Sequence, residues 1–352
     1  MVVFATPIIY FLQGAELYIN ESGGLFLKFE FALLIGLLVF SAIFLLGCIS
    51  NPRDSVFTYG EPTTLAAAPL IIAKEKGFWQ EEGLNVNVVR FSSGRLALDS
   101  TINGDIQANS VSETPPMLAI LNGNKIFVVA TAGTHHETKF IGRKDHGILE
   151  PKDLKGKKIA NLPGTNSDYF MAQFLKANGL AKDDLQIITM QPPEMINALV
   201  RGDIDGFFAW EPHIYYAEQT LKDTAIVFDS GNLYNGFHTI IMRQDFVESN
   251  PIIVEKFLKG ILKAEDFIKN NREESVKIVS KHLDMKEEVV NQLFDEYDFK
   301  LELNAQLADA MSKEADWAIE NKISNNTKPV NFFDYIYTNA LKSIKPDSVS
   351  IQ

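Results

Sequence analysis

The chain has 352 residues, 46% of them hydrophobic and 22% charged, and a formal net charge of -12. At roughly 100 to 150 residues per domain this length predicts two lobes, and the composition excludes extensive disorder. An acidic chain without a Lys/Arg cluster excludes nucleic acid as a partner, because phosphate binding needs a basic face. The single cysteine, Cys48, excludes an intrachain disulfide framework and a thiolate zinc site.

Cys48 closes an apolar run over 31–46 and follows Leu45-Leu46-Gly47, which resembles the lipobox of prokaryotic lipoproteins. That resemblance implies removal of the preceding signal and lipidation of Cys48. The competing expectation is an uncleaved anchor helix, because the run is near the shortest length that spans a bilayer. Either way, residues 1–48 form a signal or anchor segment, and the remainder of the chain is tethered outside the membrane. Glu16 and Glu21 precede Lys28, whereas a signal should open on a basic region, so translation is expected to start near Leu25 or Leu27. Residues 49–55 are a short polar linker.

From Val56 the pattern alternates. A strand at 56–59, a loop at 60–64 and a helix at 65–76 lead to Gly77, a C-cap signal, and then Phe78-Trp79. A strand at 85–91, a helix from Ser92-Ser93-Gly94 to Asn103, a strand at 106–111, a helix at 115–122 and a strand at 126–131 come next. Such alternation implies parallel pairing with right-handed crossovers. Residues 139–143 look like a strand leaving this lobe. The second lobe continues with a strand at 158–161, a loop through Gly164, helices at 168–178 and 193–200, strands at 185–190 and 204–209, a helix from Pro212 and a strand at 225–228. Residues 238–242 are expected to carry the chain back, so lobe 1 spans 56–138 plus 244–352 and lobe 2 spans 139–243. The C-terminal third is helical, with buried stripes at Val254, Leu258, Ile261 and at Leu307, Met311, Ala315.

Four features resemble one family, the solute-binding proteins of ABC importers for nitrate, sulfonates, taurine and thiamine precursors, of the NMT1/THI5-like type. They are Phe78-Trp79 with Glu82-Gly83-Leu84; Gly104-Asp105-Ile106 through Glu113-Thr114-Pro115-Pro116; residues 154–160 leading to Gly164; and Gly202-Asp203-Ile204-Asp205 through Trp210-Glu211-Pro212. The resemblance implies an α/β chain with a type II periplasmic-binding-protein fold, two α/β lobes joined by two hinge strands, and a ligand sealed between them. It also implies a monomer whose partners are a small-molecule ligand, an ABC permease and its ATPase subunit. The alternatives are an enzyme like the thiamine-pyrimidine synthases of the same superfamily, whose cysteine-rich segment has no counterpart in this sequence, and a tethered ligand sensor. The sequence has no GxxxxGK[ST] phosphate loop and so cannot be the ATPase.

The expected cleft lies at strand-to-helix junctions, where unpaired backbone N–H groups can hold an anionic head. Thr63, Ser112, Thr114, Gly164, Thr165, Asn166 and Ser167 would add neutral donors there, although Ser, Thr and Asn also serve as plain N-caps. Glu61, Glu113 and Glu211 sit at three junctions. A carboxylate favours a helix N-terminus without any ligand, yet three converging acids would favour a solute with an amine. Trp210 could stack on the ligand body. His135-His136 and His213 have no metal-ligand spacing, and neither a metal nor a cofactor is expected.

Overall fold

The computed structural model describes residues 56–326 and 328–351, together with two short strands nearer the N-terminus. Those strands, β1 (Leu17–Ile19) and β2 (Leu25–Leu27), pair antiparallel with Tyr18 opposite Phe26 and belong to a unit separate from the body that starts at Val56. Cys48, the apolar run before it and the 49–55 linker lie outside the described residues. Among the described residues no helix is long and apolar enough to cross a membrane.

The body is built on two sheets. The first takes β3 (Phe57–Pro62), β4 (Val86–Phe91), β5 (Ala108–Ser112), β6 (Ile126–His135), β12 (Gly236–Arg243) and β13 (Tyr297–Asp298), in the spatial order β13-β6-β12-β5-β3-β4. The second takes β7 (Lys139–Arg143), β8 (Lys158–Asn161), β9 (Gln186–Thr189), β10 (Gly206–Ala209) and β11 (Ala225–Phe228), in the order β11-β7-β10-β8-β9. β3 runs parallel to β4 and β5, and β8 parallel to β9 and β10, as helical crossovers require.

β12 and β7 run against this direction. β12 is antiparallel to β5 and β6, and β7 is antiparallel to β10 and β11. The chain therefore passes between the sheets at 136–138 and 229–235. The strands expected at 139–143 and 238–242 as crossings lie inside the second and first sheets respectively. Nearly every residue of both is buried, which a strand reaches only when neighbours cover its edges and layers cover its faces.

Period-two alternation divides the second lobe's core. Phe207 and Ile141 pack on one face of its sheet, while Phe208 and Phe140 pack on the other. The first lobe's core is larger and absorbs the C-terminal third. Its anchor is Trp79, fully buried, whose ring stacks on Phe257 at 5.0 Å and whose Nε1 donates to the Phe257 carbonyl at 2.9 Å. Phe257 belongs to the helix Pro251–Asn270, which carries Val254, Leu258 and Ile261 inward as the stripe predicts.

Three boundaries differ from expectation near the cleft. β3 does not stop at Tyr59 but pairs with β4 as far as Pro62, with Glu61 opposite Arg90. Gly60 permits this, since a Cβ there would lie 2.5 Å from Ile106 Cδ1. The helix expected from Asp168 starts at Asn166. The helix expected from Pro212 starts at His213, after a cis Glu211–Pro212 peptide.

Candidate functional site

Strand ends and helix starts from both lobes converge on one small cavity of about 20 Å³, roughly the room of one water molecule. The first lobe contributes Pro62 and Thr64 after β3, Val111 and Ser112 at the end of β5, His238 of β12, and Gly94, Arg95 and Pro115 at the starts of Gly94–Asn103 and Thr114–Leu121. The second contributes Thr165 and Asn166 at the start of Asn166–Ala177, and Trp210 after β10. Glu137, on the first connection between the sheets, completes the lining.

Local sequence explains how the helix starts come so close. Ser93 caps Gly94–Asn103 by accepting from Leu96 N–H at 3.4 Å. Gly94 lets that first turn lie on β5, because a Cβ there would meet Val111 Cγ2 at 2.6 Å. The walls also touch across the cleft. Trp210 Nε1 donates to the Thr63 carbonyl at 3.1 Å, and Asn166 Nδ2 to Thr138 Oγ1 at 2.8 Å.

Of the residues expected at the site, Ser112, Thr165, Asn166 and Trp210 line the cavity. Thr63 contributes its carbonyl to Trp210, while its N–H and Oγ1 both donate to Phe91 O. Gly164 N–H donates to Asp168 Oδ2 at 3.0 Å, and Ser167 Oγ to Asn161 Oδ1 at 3.1 Å, so both serve the loop itself. Thr114 is fully buried beside Glu314.

The three acids do not meet at this cavity. Glu61 turns to His282 Nε2 at 2.7 Å and Arg90 Nε at 3.2 Å, because β3 carries it into the sheet. Glu113 turns inward, where Tyr234 Oη and Phe237 N–H donate to it at 2.7 and 2.8 Å. Burial pushes the carboxyls of Glu113 and neighbouring Glu314 above the ordinary range. Glu211 accepts from Tyr215 N–H at 3.1 Å, within its own helix start, and from Lys139 Nζ at 3.3 Å. Burial raises its pKa too, against the pull of Lys139.

The acid that does line the cavity is Glu137, and sequence reasoning missed it. It comes directly after His135-His136, a pair whose sequence signal concerns only metal ligation, and nothing in the local pattern marks it as a junction. Glu137 is 1% exposed and accepts from Thr64 Oγ1 at 2.7 Å and Tyr297 Oη at 2.7 Å. Burial, with a smaller push from Glu211, raises its pKa to about 8. His238, also missed, approaches Ser110 Oγ with Nε2 at 2.9 Å and leaves Nδ1 without a partner; burial lowers its pKa to about 3. Of the other lining residues not expected at the site, Thr64 and Arg95 stand one position past Thr63 and the Ser92-Ser93-Gly94 turn. Among the described residues no cluster of three or more His, Cys, Asp or Glu could hold a metal ion.

Known proteins resemble this chain in sequence and in fold. The taurine-binding periplasmic protein of Escherichia coli (strain K12) is 30% identical over 216 residues, covering 59% of this chain and 63% of that protein. A nitrate/nitrite binding protein of Nostoc sp. is 29% identical over 241 residues, covering 61% of this chain and 54% of that one. The chain thus matches less than two thirds of the length of either relative. In three dimensions, the alkanesulfonate-binding protein of Xanthomonas axonopodis pv. citri, solved with MOPS bound, superposes with a TM-score of 0.71 at 19% identity, over 81% of this chain and 98% of that one. That likeness establishes the fold as the two-lobed periplasmic-binding type. Residues 65–275 match the family model described as NMT1/THI5 like, and the chain belongs to that family.

Proposed function

We propose that the chain is an extracytoplasmic solute-binding protein that captures a small polar organic solute between its lobes and delivers it to an ABC permease and its ATPase. The solute classes are those expected from the sequence: taurine- or sulfonate-like, nitrate-like, or a pyrimidine precursor. The names of the relatives, all binding proteins, support the class of activity. The observation that carries the reading is a cavity lined from both sheets whose walls are hydrogen-bonded across the cleft. A room of about 20 Å³ is too small for any of these solutes, so uptake requires the lobes to part about the connections at 136–138 and 229–235. Closure is then favoured by contacts made only when both walls reach the solute, since a ligand shifts an equilibrium only by its differential affinity. Tethering through a lipidated Cys48 would keep the protein beside its permease.

A thermal-shift screen of taurine, alkanesulfonates, nitrate and aminopyrimidines tests this. At least one should raise the melting temperature of the wild-type protein. Asn166→Ala should weaken binding of that solute by roughly tenfold, the worth of one hydrogen bond near 1.4 kcal/mol. If no member of the screen stabilises the protein, the capture reading fails for these classes.

A further inference from the structure

Glu137 is out of place in a cavity for a plain anion. Its carboxyl is 1% exposed, yet the groups that hold it are neutral donors: the hydroxyls of Thr64 and Tyr297 and the backbone N–H of Ala66. The nearest basic side chain in contact range is His135, whose Nδ1 stands 3.8 Å away, too far for a hydrogen bond. Lys139, two residues on, is held by Glu211 at 3.3 Å and Glu296 at 2.9 Å. The cation of the lining is Arg95, which is exposed and donates its Nη1 to the Pro163 carbonyl. Acid and base thus stand at different depths, the carboxyl buried and the guanidinium open to solvent. In the same lining, His238 leaves Nδ1 without a partner although the ring is buried.

Resting on the solute-capture reading, we propose that the solute is a zwitterion or amine whose protonated nitrogen is received by the Glu137 carboxylate at the floor of the cleft, with His238 Nδ1 as a second polar contact and any anionic end toward Arg95 and the helix starts at Gly94 and Asn166. A buried carboxylate without a cation is costly, so in the closed, empty cleft Glu137 is held as the acid. A ligand ammonium removes that cost by supplying the missing charge, and the resulting charge-assisted contact discriminates against solutes without it. The competing use of the same group is as a neutral donor to a sulfonate oxygen, and a glutamine can imitate that. Glutamine cannot imitate a carboxylate facing an ammonium.

Calorimetric titration with 2-aminoethanesulfonate and with ethanesulfonate, on wild type and Glu137→Gln, separates these uses; matching circular-dichroism melts establish that the variant is folded. The wild type should prefer the amino compound by roughly ten- to hundredfold, the worth of one hydrogen bond to a charged group. The variant should lose that preference, its affinity falling by more for the amino compound than for ethanesulfonate. Two results overturn the assignment: equal wild-type affinity for both compounds, or a Glu137→Gln variant that keeps the preference. In either of those cases solute capture itself stands. Binding of neither compound by wild type removes the capture reading for sulfonates and this inference with it.

Discussion

Glu137 and His213 should set opposite edges of the protein's pH range. The Glu137 pKa rises from an ordinary 4.5 to about 8 on folding. The folded state therefore holds this proton more tightly than the unfolded chain. Its stabilising share is fully present below about pH 4.5 and is lost as pH rises through about 8. The groups facing it, Glu211, Thr64, Tyr297 and His135, supply no cation that reverses the sign. Glu137→Gln should therefore gain melting temperature relative to wild type from pH 5 to pH 9; a constant difference would mean that the carboxyl ionises freely in the fold. His213 is the mirror case. Burial lowers its pKa to about 3 from 6.5, and neither ring nitrogen has a partner. Its neutral ring stabilises the fold fully above pH 6.5, and that share is lost as pH falls toward 3. His213→Phe should lose less stability than wild type on acidification from pH 7 to pH 4, measured by urea denaturation. A parallel loss in both proteins would exclude His213 as the source.

At the scale of elements, the first turn of Gly94–Asn103 lies directly on β5 at the cavity. Gly94→Ala should cost about 1 to 3 kcal/mol in chemical denaturation, because its Cβ would press on Val111 and the Val111 backbone limits the retreat. A neutral substitution would mean the helix can slide outward. Ser93→Ala should cost about 1 kcal/mol by removing the cap to Leu96 N–H. Most helix and strand types between Val56 and Met242 were legible because periodicity and caps are local, whereas the short helix Phe78–Glu81 and the strand Tyr297–Asp298 in the helical C-terminal third were not. The burial stripe of Pro251–Asn270 and the Val-rich alternation of β4 could be read without knowing any partner. Strand ends were less legible. β3 reaches Pro62 because β4 lies beside it, a partner that local pattern does not name, and the extension is what takes Glu61 away from the cleft. Glu113 and Glu211 stand at the expected junctions, but which way a junction side chain turns depends on Tyr234, Lys139 and Tyr215, and no local pattern encodes those contacts. The acid available to select an amine at the cleft is instead Glu137, a residue whose position depends on where the chain crosses between sheets.

The body from Val56 onward is built on two sheets linked at 136–138 and 229–235, with specific side-chain contacts across the gap. Tyr169 of the second lobe meets Trp317 of the first edge-on at 5.2 Å, and Trp210 reaches the Thr63 carbonyl. Such contacts can be made and broken as units, which is what capture by closure requires. Trp210→Phe keeps the apolar ring and deletes the Nε1 donor, so it should leave the second lobe's core intact and shift the lobes toward the open form. Small-angle X-ray scattering of the purified protein, with and without saturating taurine, tests the central claim most directly. If a solute is held between closing lobes, the radius of gyration falls on adding taurine in the wild type and falls less in Trp210→Phe; an unchanged radius at a taurine concentration shown to saturate binding would contradict capture by closure.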